Sequence, residues 1–212
     1  MALAPVDFCL QELPRLFEQA KAKLQAFSAD GDKRAQARLK DVAASRVTAR
    51  VFFEGEGGGE AFLVNDRGSL QVSQERPAAP AVHYALAVSA GAAQRALGLL
   101  DTGEIELAVA HDPRHPPGIG SARADQLFTM YKFGFEVQLL GLPELGDVSL
   151  RIGLGRDLPT TPEFRLSVRY ADLLAARDQA MGPQELFSSG KLVITGDAAK
   201  AMMLGMTLAQ LR

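Results

Sequence analysis

Three runs in the second half of the chain alternate apolar and polar residues. The apolar positions are Phe133, Phe135, Val137 and Leu139, then Val148, Leu150, Ile152 and Leu154, then Phe164, Leu166, Val168 and Tyr170. Successive side chains of a β-strand point to opposite faces of the sheet, so each run predicts a strand with one apolar and one polar face. Such a sheet needs a cover on its apolar face, and this requirement constrains the fold more than any other feature.

The first half carries a similar series of signals. Residues 46–54 alternate in the same way, GEGGGE predicts a tight turn, and EAFLVN, GSLQVSQ, AVHYALAVS and GEIELAVA predict further short strands. Helical spacing marks residues 6–27, AGAAQRALGLL, ARADQLFTMYK, ADLLAARDQAMG and the closing segment. The segment SADGDKRAQARLKD is typical of a polar linker that contains at most a helical turn. Antiparallel hairpins with helices gathered before and after them predict an α+β fold with a mixed, largely antiparallel sheet.

The two series are spaced in a way that suggests an internal duplication. Gly103 and Gly190 each open a strand signal and lie 87 positions apart, and Val51 and Val137 lie 86 apart. The correspondence is one of pattern rather than of residue identity. The loop HDPRHPPGIGSA is the predicted boundary, which divides the chain into units at 1–120 and 121–212.

Composition excludes several classes of function. The formal net charge is −2 and the sequence pI is about 6.0, with no block of Lys or Arg, so we expect no nucleic-acid partner. Cys9 is the only cysteine, which rules out an internal disulfide and fits a reducing compartment. The N-terminal segment does not resemble a signal peptide, and no run of about 18 apolar residues occurs. We therefore expect a cytoplasmic protein with at most transient membrane contact.

No cofactor, metal or catalytic set is expected. His111, Asp112 and His115 lie in a proline-rich loop that cannot hold a His-x3-His pair on one helical face. The stretch GIGSARA formally fits a dinucleotide-binding pattern but lacks the preceding apolar strand. Glu104 and Glu106 alternate with apolar residues, which a solvated sheet face explains, and Cys9 is placed in the core.

The closing segment predicts an unusually apolar helix. Asp197 is the expected N-cap, and only Lys200, Thr207 and Gln210 form a polar sector. A helix that is apolar around most of its circumference is expected to be buried on most sides. Its methionines suit either an irregular permanent core or the wall of a lipid cavity, since methionine adapts to irregular apolar partners.

Residues 171–211 resemble the sterol carrier protein type 2 family. The family pattern is a segment F-x-x-G-K-L-x-I-x-G-D followed by a terminal helix A-M-x-L; the matching residues are Phe187, Gly190, Lys191, Leu192, Ile194, Gly196, Asp197, Ala201, Met202 and Leu204. The resemblance implies about five strands covered on one face by helices, with an apolar tunnel between them. It also implies non-catalytic binding of a fatty acid, acyl-CoA, sterol or isoprenoid. The chain departs from the family in having no tryptophan, and its first half lacks the GKL signature.

The resemblance and the alternation together assign a set of lipid-binding residues. They are Phe133, Phe135, Val137, Leu166, Val168, Phe187, Met202, Met203, Met206 and Leu208. The alternative interpretation is a structural or dimerisation module whose cavity is filled, acting with a second copy or with an enzyme of lipid metabolism. The apolar closing helix fits both interpretations, and only the family pattern favours the carrier.

Overall fold

A computed structural model describes residues 3–78, 82–102, 120–178 and 181–210 of the chain. The helices are α1, continuous over 5–29, α2 (Lys33–Ala44), α3 (Ala90–Thr102), α4 (Ala122–Thr129), α5 (Tyr170–Asp178), α6 (Pro183–Ser188) and α7 (Ala198–Gln210). The strands are β1 (Arg46–Glu54), β2 (Gly59–Asp66), β3 (Ser69–Ser73), β4 (Tyr84–Ser89), β5 (Phe133–Leu142), β6 (Gly146–Leu154), β7 (Phe164–Arg169) and β8 (Leu192–Gly196).

Helix α1 contains a π-helical turn immediately before a proline. It is α-helical over Pro5–Asp7, π-helical over Phe8–Glu12 and α-helical again over Leu13–Ala29. Pro14 has no backbone N–H to offer the preceding turn, and the Leu13 N–H reaches back to the Phe8 carbonyl instead. The wider turn lets the helix continue past Pro14.

Helix α2 occupies the segment that was interpreted as a linker, so that prediction was wrong. The Asp32 side chain caps its first turn by accepting from the Arg34 and Ala35 N–H groups. Its buried face consists of Ala35, Arg38 and Val42. This face contains a charged residue, and the apolar periodicity that marks most helices is therefore weak here.

All eight strands form one sheet, in the order β3-β2-β1-β4-β6-β5-β7-β8. Two neighbouring pairs, β1 with β4 and β5 with β7, are parallel, and the other pairs are antiparallel. The α+β class with a mixed, largely antiparallel sheet is thus confirmed. The expected number of about five strands was too low, because β4 pairs with β6 and joins the strands of both halves into one layer.

Each half of the sheet is built by the same connection. A hairpin is followed by a strand that returns parallel to the first hairpin strand: β1, β2 and β4 in the first half, β5, β6 and β7 in the second. Val51 lies beside Leu86, and Val137 lies beside Leu166 in the same way. The duplication and the division at 120 stay predictions; the strand signal that begins at Gly103 lies outside the described residues.

The two faces of the sheet differ in chemistry. One face, here called the helix face, packs against α1, α3, α4 and α7 around two apolar clusters. The opposite face carries cross-strand ion pairs, including Arg50 with Glu60 and Arg165 with Glu136. On that face Arg50 also binds Asp157 at 2.9 Å, which links β1 to the loop after β6. The candidate site therefore lies on the helix face.

Candidate lipid site on the helix face

Helix α7 packs on one side only, which corrects the expectation that it is buried on most sides. Ala201, Leu204 and Thr207 are buried at three-residue spacing and face the sheet. Met202 and Met206 are 51% and 64% exposed. The helix therefore presents an apolar stripe to the core and a second apolar stripe to its surroundings.

One member of the polar sector of α7 lies inside the molecule. Thr207 is buried; its hydroxyl donates to the Met203 carbonyl at 3.0 Å and lies 2.5 Å from the Tyr131 hydroxyl. At the other end of the helix, Asp197 accepts from the Lys200 N–H at 3.1 Å, which confirms the expected N-cap. The Lys200 ammonium also pairs with Glu163. Polar contacts thus fasten both ends of α7 to the rest of the molecule.

A cluster of aromatic and aliphatic residues lies beneath α7. Phe133, Phe135 and Phe164 are buried there with Leu154, and Ala201 and Leu204 cover them from the helix. The rings of Phe135 and Phe164 stack at 5.0 Å between centroids, and those of Phe133 and Phe164 lie 5.6 Å apart. This close packing makes the cluster a permanent core rather than an open space.

A band of partly exposed apolar side chains continues from this cluster across the helix face. We call it the apolar strip; it consists of Leu86, Val137, Leu150, Ile152, Leu166 and Ile194, all half-buried. Register places them on one face: Val137 lies beside Leu150 and Leu166, Leu166 beside Ile194, and Ile152 beside Leu86. Met203 of α7 packs against the same cluster.

The structure brings together about half of the residues assigned from the sequence. Phe133, Phe135, Val137, Leu166 and Met203 belong to the cluster or pack against it, and Val168 is buried on the same strand as Leu166. Phe187, Met202 and Met206 are exposed and stand outside the cluster. The side chain of Leu208 lies outside the described residues. A role of these ten residues in binding lipid stays a prediction.

A buried polar cluster borders the apolar cluster at the start of β4. Asp125 of α4 accepts from the Ser45 hydroxyl at 2.5 Å and from the Tyr84 hydroxyl at 2.9 Å, and Asn65 donates to Ser45 at 2.8 Å. The Tyr84 ring meets Phe128 edge-on at 5.8 Å and contacts both apolar clusters. This arrangement holds α4 against the sheet.

Burial dominates the electrostatics of this polar cluster. It raises the pKa of Asp125, although the hydrogen bonds from Ser45 and Tyr84 offset part of the increase. The pKa of the Tyr84 hydroxyl is raised by burial and by the neighbouring carboxylate. Three buried atoms, Arg38 Nε, Thr48 Oγ1 and Asn65 Oδ1, have no hydrogen-bond partner among the described residues. Ser45 is fully buried, so this hydroxyl–carboxylate pair cannot reach a substrate in solution.

Sequence reasoning missed the part of the strip that comes from the first half. Leu86 and Tyr84 lie on β4, and their alternation was visible, but nothing local indicated that β4 pairs with β6. Leu150 and Ile152 were recognised as strand residues without being assigned to a site. Asp125 carried no signal beyond its helical segment, because its partners lie 41 and 80 residues away.

The described residues test only some of the hypotheses about a metal site, a membrane span and a reactive thiol. His111, Asp112, His115, Glu104 and Glu106 lie outside the described residues. Within the described ranges, no group of three or more His, Cys, Asp and Glu side chains could hold a metal ion. No helix in those ranges combines the length and apolar composition needed to cross a bilayer. Cys9 is buried in the first apolar cluster, and burial raises its pKa to about 11, which disfavours the reactive thiolate.

Comparison with known proteins addresses the C-terminal part of the chain. A search among curated proteins found no match. The model of the SCP-2 sterol transfer family matches residues 143–209, which include β6, β7, β8 and all of α7 except its last residue. Proteins of this family are generally non-catalytic lipid carriers, so the match indicates lipid binding or transfer. The resemblance to the sterol carrier family is confirmed over residues 143–209, roughly the last third of the chain.

Proposed function

We propose that the protein binds a lipid on the apolar strip and carries it without chemical change. The observation that supports this proposal is the strip itself: six apolar side chains on one face of five strands, each partly accessible. Four of the six, Leu150, Ile152, Leu166 and Ile194, lie within the segment that matches the sterol transfer family.

The dimensions of the strip suit an extended alkyl group. From β4 to β8 it crosses four inter-strand spacings, roughly 19 Å at about 4.8 Å each. Burial of alkyl groups contributes roughly 0.8 kcal/mol per methylene, so a long chain gains useful affinity from apolar contact alone. The proposal therefore covers fatty acids, acyl-CoA, sterols and isoprenoids, whose apolar bodies meet the same requirement.

Native mass spectrometry of freshly purified protein tests the proposal directly. We expect a discrete added mass that disappears after solvent extraction, and the extracted lipid identifies the ligand class. A bare chain mass that stays unchanged after incubation with fatty acids and acyl-CoA would contradict carriage. That outcome would favour the alternative of a packing or dimerisation module with a filled cavity.

Two adjacent residues on β8 provide a matched pair of variants. Ile194 belongs to the apolar strip, whereas Val193 points to the opposite face and is 53% exposed. Ile194→Asn places a polar amide in the strip, and Val193→Asn makes the same chemical change outside it. We expect only Ile194→Asn to weaken uptake of a fluorescent fatty acid such as cis-parinaric acid. Equal uptake by both folded variants would place the site elsewhere.

A further inference from the structure

The strand pairing allows the helix faces of the two halves to be compared position by position. In each half a central strand, β1 or β5, has a hairpin partner on one side and a parallel strand on the other. Register therefore gives positions on β1 and β2 a counterpart on β5 and β6. The counterparts are Ala49 and Phe135, Val51 and Val137, Phe53 and Leu139, Ala61 and Leu150, and Leu63 and Ile152.

Burial differs sharply between these counterparts. Phe53, Ala61 and Leu63 are 7%, 0% and 2% exposed, whereas all three of their counterparts on β5 and β6 are half-buried. The helix face of β1 and β2 is therefore closed, while that of β5 and β6 stays partly accessible. We call Ala49, Phe53, Ala61 and Leu63 the α1 seat.

Helix α1 closes the α1 seat. Val6 and Cys9 are buried in one apolar cluster with the four residues of the seat, and Leu10 and Leu13 pack against that cluster. These four positions of α1 follow the i, i+3, i+4, i+7 spacing of one helix face. An apolar helix surface thus covers the strands whose counterparts remain partly accessible in the second half.

Small side chains in the α1 seat allow the helix to approach the sheet closely. Ala49 and Ala61 lie beneath the helix, whereas Phe135 and Leu150 fill the corresponding positions of the second half. The helix that precedes β5, α4, packs against α2 and β1 instead. The sequence of the first half therefore favours a helix on this face, and that of the second half does not.

We propose that the first half of the sheet contains a second lipid-binding face, the α1 seat, which α1 occupies in place of a lipid. This inference rests on the proposed function, because it extends to the first half the ligand class proposed for the apolar strip. As folded, the chain then binds one lipid. Detachment of α1 uncovers the seat and allows a second lipid to bind.

An alkyl chain meets the chemical requirement of the α1 seat. The hydrophobic effect depends on the apolar area removed from water and has no directional requirement, so an alkyl chain can replace the apolar side of a helix. The side chains of Val6, Cys9, Leu10 and Leu13 contain about twelve carbon atoms in total, comparable to the alkyl chain of a medium-length fatty acid.

Detachment of α1 in the full-length chain tests the proposal. Leu10→Asp and Leu13→Asp together place two carboxylates against the apolar cluster, which should release the start of α1 and make Cys9 reactive towards iodoacetamide. Native mass spectrometry with excess oleic acid should then show two bound molecules, against one for the unmodified protein. The control combines Gln11→Asp and Gln19→Asp, which add the same charge at exposed positions of the same helix and should change neither result.

Two results with the double variant would overturn the proposal. If Cys9 reacts and only one oleic acid binds, the uncovered α1 seat is not a lipid site. If Cys9 stays unreactive, α1 is not held by these apolar contacts and does not occupy the seat in the proposed way.

Val51 and Val137 provide a second test that leaves α1 unchanged. Both are half-buried valines at corresponding positions, and Val51→Asn and Val137→Asn make the same change in the two halves. We expect Val137→Asn to weaken uptake of cis-parinaric acid by about fivefold or more and Val51→Asn to leave it unchanged. Equal weakening by the two folded variants, or two oleic acids on the unmodified protein, would refute occupation by α1, whether or not the double variant folds.

The same measurements separate this proposal from lipid carriage on the apolar strip. If the unmodified protein binds no oleic acid and the double variant binds one, carriage on the strip fails and the α1 seat stands as a lipid site. If neither protein binds oleic acid, both proposals fail.

Discussion

The one-sided packing of α7 predicts very different effects for two substitutions on the same helix. Leu204 is 3% exposed and lies over the aromatic cluster, whereas Met202, two residues earlier, is largely exposed. Truncating a buried leucine to alanine removes its apolar contacts and leaves a cavity, which costs about 2–5 kcal/mol of unfolding free energy. Truncating Met202 should change it by less than about 0.5 kcal/mol, because little buried surface is lost.

The contrast can be measured by thermal and urea unfolding of Leu204→Ala and Met202→Ala. For a domain of this size, a change of 1 kcal/mol shifts Tm by about 2–4 °C, so a cost of about 3 kcal/mol lowers Tm by about 6–12 °C. In urea the midpoint should fall by about 1 M or more, since m is about 1–3 kcal/mol per M. Met202→Ala should unfold within about 2 °C of the unmodified protein.

Two results would refute this reasoning. Comparable destabilisation by both variants would mean that α7 is buried on several sides, as the apolar sequence of the helix first suggested. A negligible effect of Leu204→Ala would mean that the helix is not packed on the sheet at all. In both cases the exposed position of Met202 would have to be revised.

Three further predictions concern buried polar groups and the thiol. Burial raises the pKa of Asp125 in the folded state, so the stabilisation from its protonated form is full at low pH and is lost as pH rises through that pKa. Asp125→Asn should flatten this part of the stability–pH curve, measured by urea unfolding. Thr207→Val leaves the Tyr131 hydroxyl without its contact and should cost about 1 kcal/mol, with faster hydrogen exchange in the last turn of α7. Cys9 should react with iodoacetamide at neutral pH only after unfolding; rapid labelling of the folded protein would contradict its burial and its raised pKa.

Local periodicity predicted most of the strands and helices correctly because it records which side chains face the core. The runs that begin at Phe133 and Phe164 became β5 and β7, although Glu136 on the polar side of β5 is buried as well. The pairing of β4 with β6 depends on contacts between residues far apart in the sequence, such as Leu86 and Ile152, and no local pattern carries that information. The single eight-stranded sheet was therefore not predicted.

The errors on the helices have a common physical origin. The segment that contains Arg38 was interpreted as a polar linker, but Arg38 of α2 is buried with an ion pair to Asp41 and a hydrogen bond to the Gly120 carbonyl. Thr207 is buried with a partner of its own, and Met206 takes the exposed position. Polar groups can be buried when partners satisfy them, and two of these partners, the Gly120 carbonyl and the Tyr131 hydroxyl, come from distant segments. For the same reason the apolar composition of α7 did not reveal which of its sides is covered.

The pairing of β4 with β6 has a consequence for how the chain can be divided. Each of these strands has a neighbour from its own half on one side and a neighbour from the other half on the other side. A fragment ending near residue 120 would expose the backbone edge of β4, and the complementary fragment would expose that of β6. Unprotected strand edges promote aggregation. Although the halves share one connection pattern, neither should be soluble alone, whereas co-expression of the two fragments should restore the sheet by complementation.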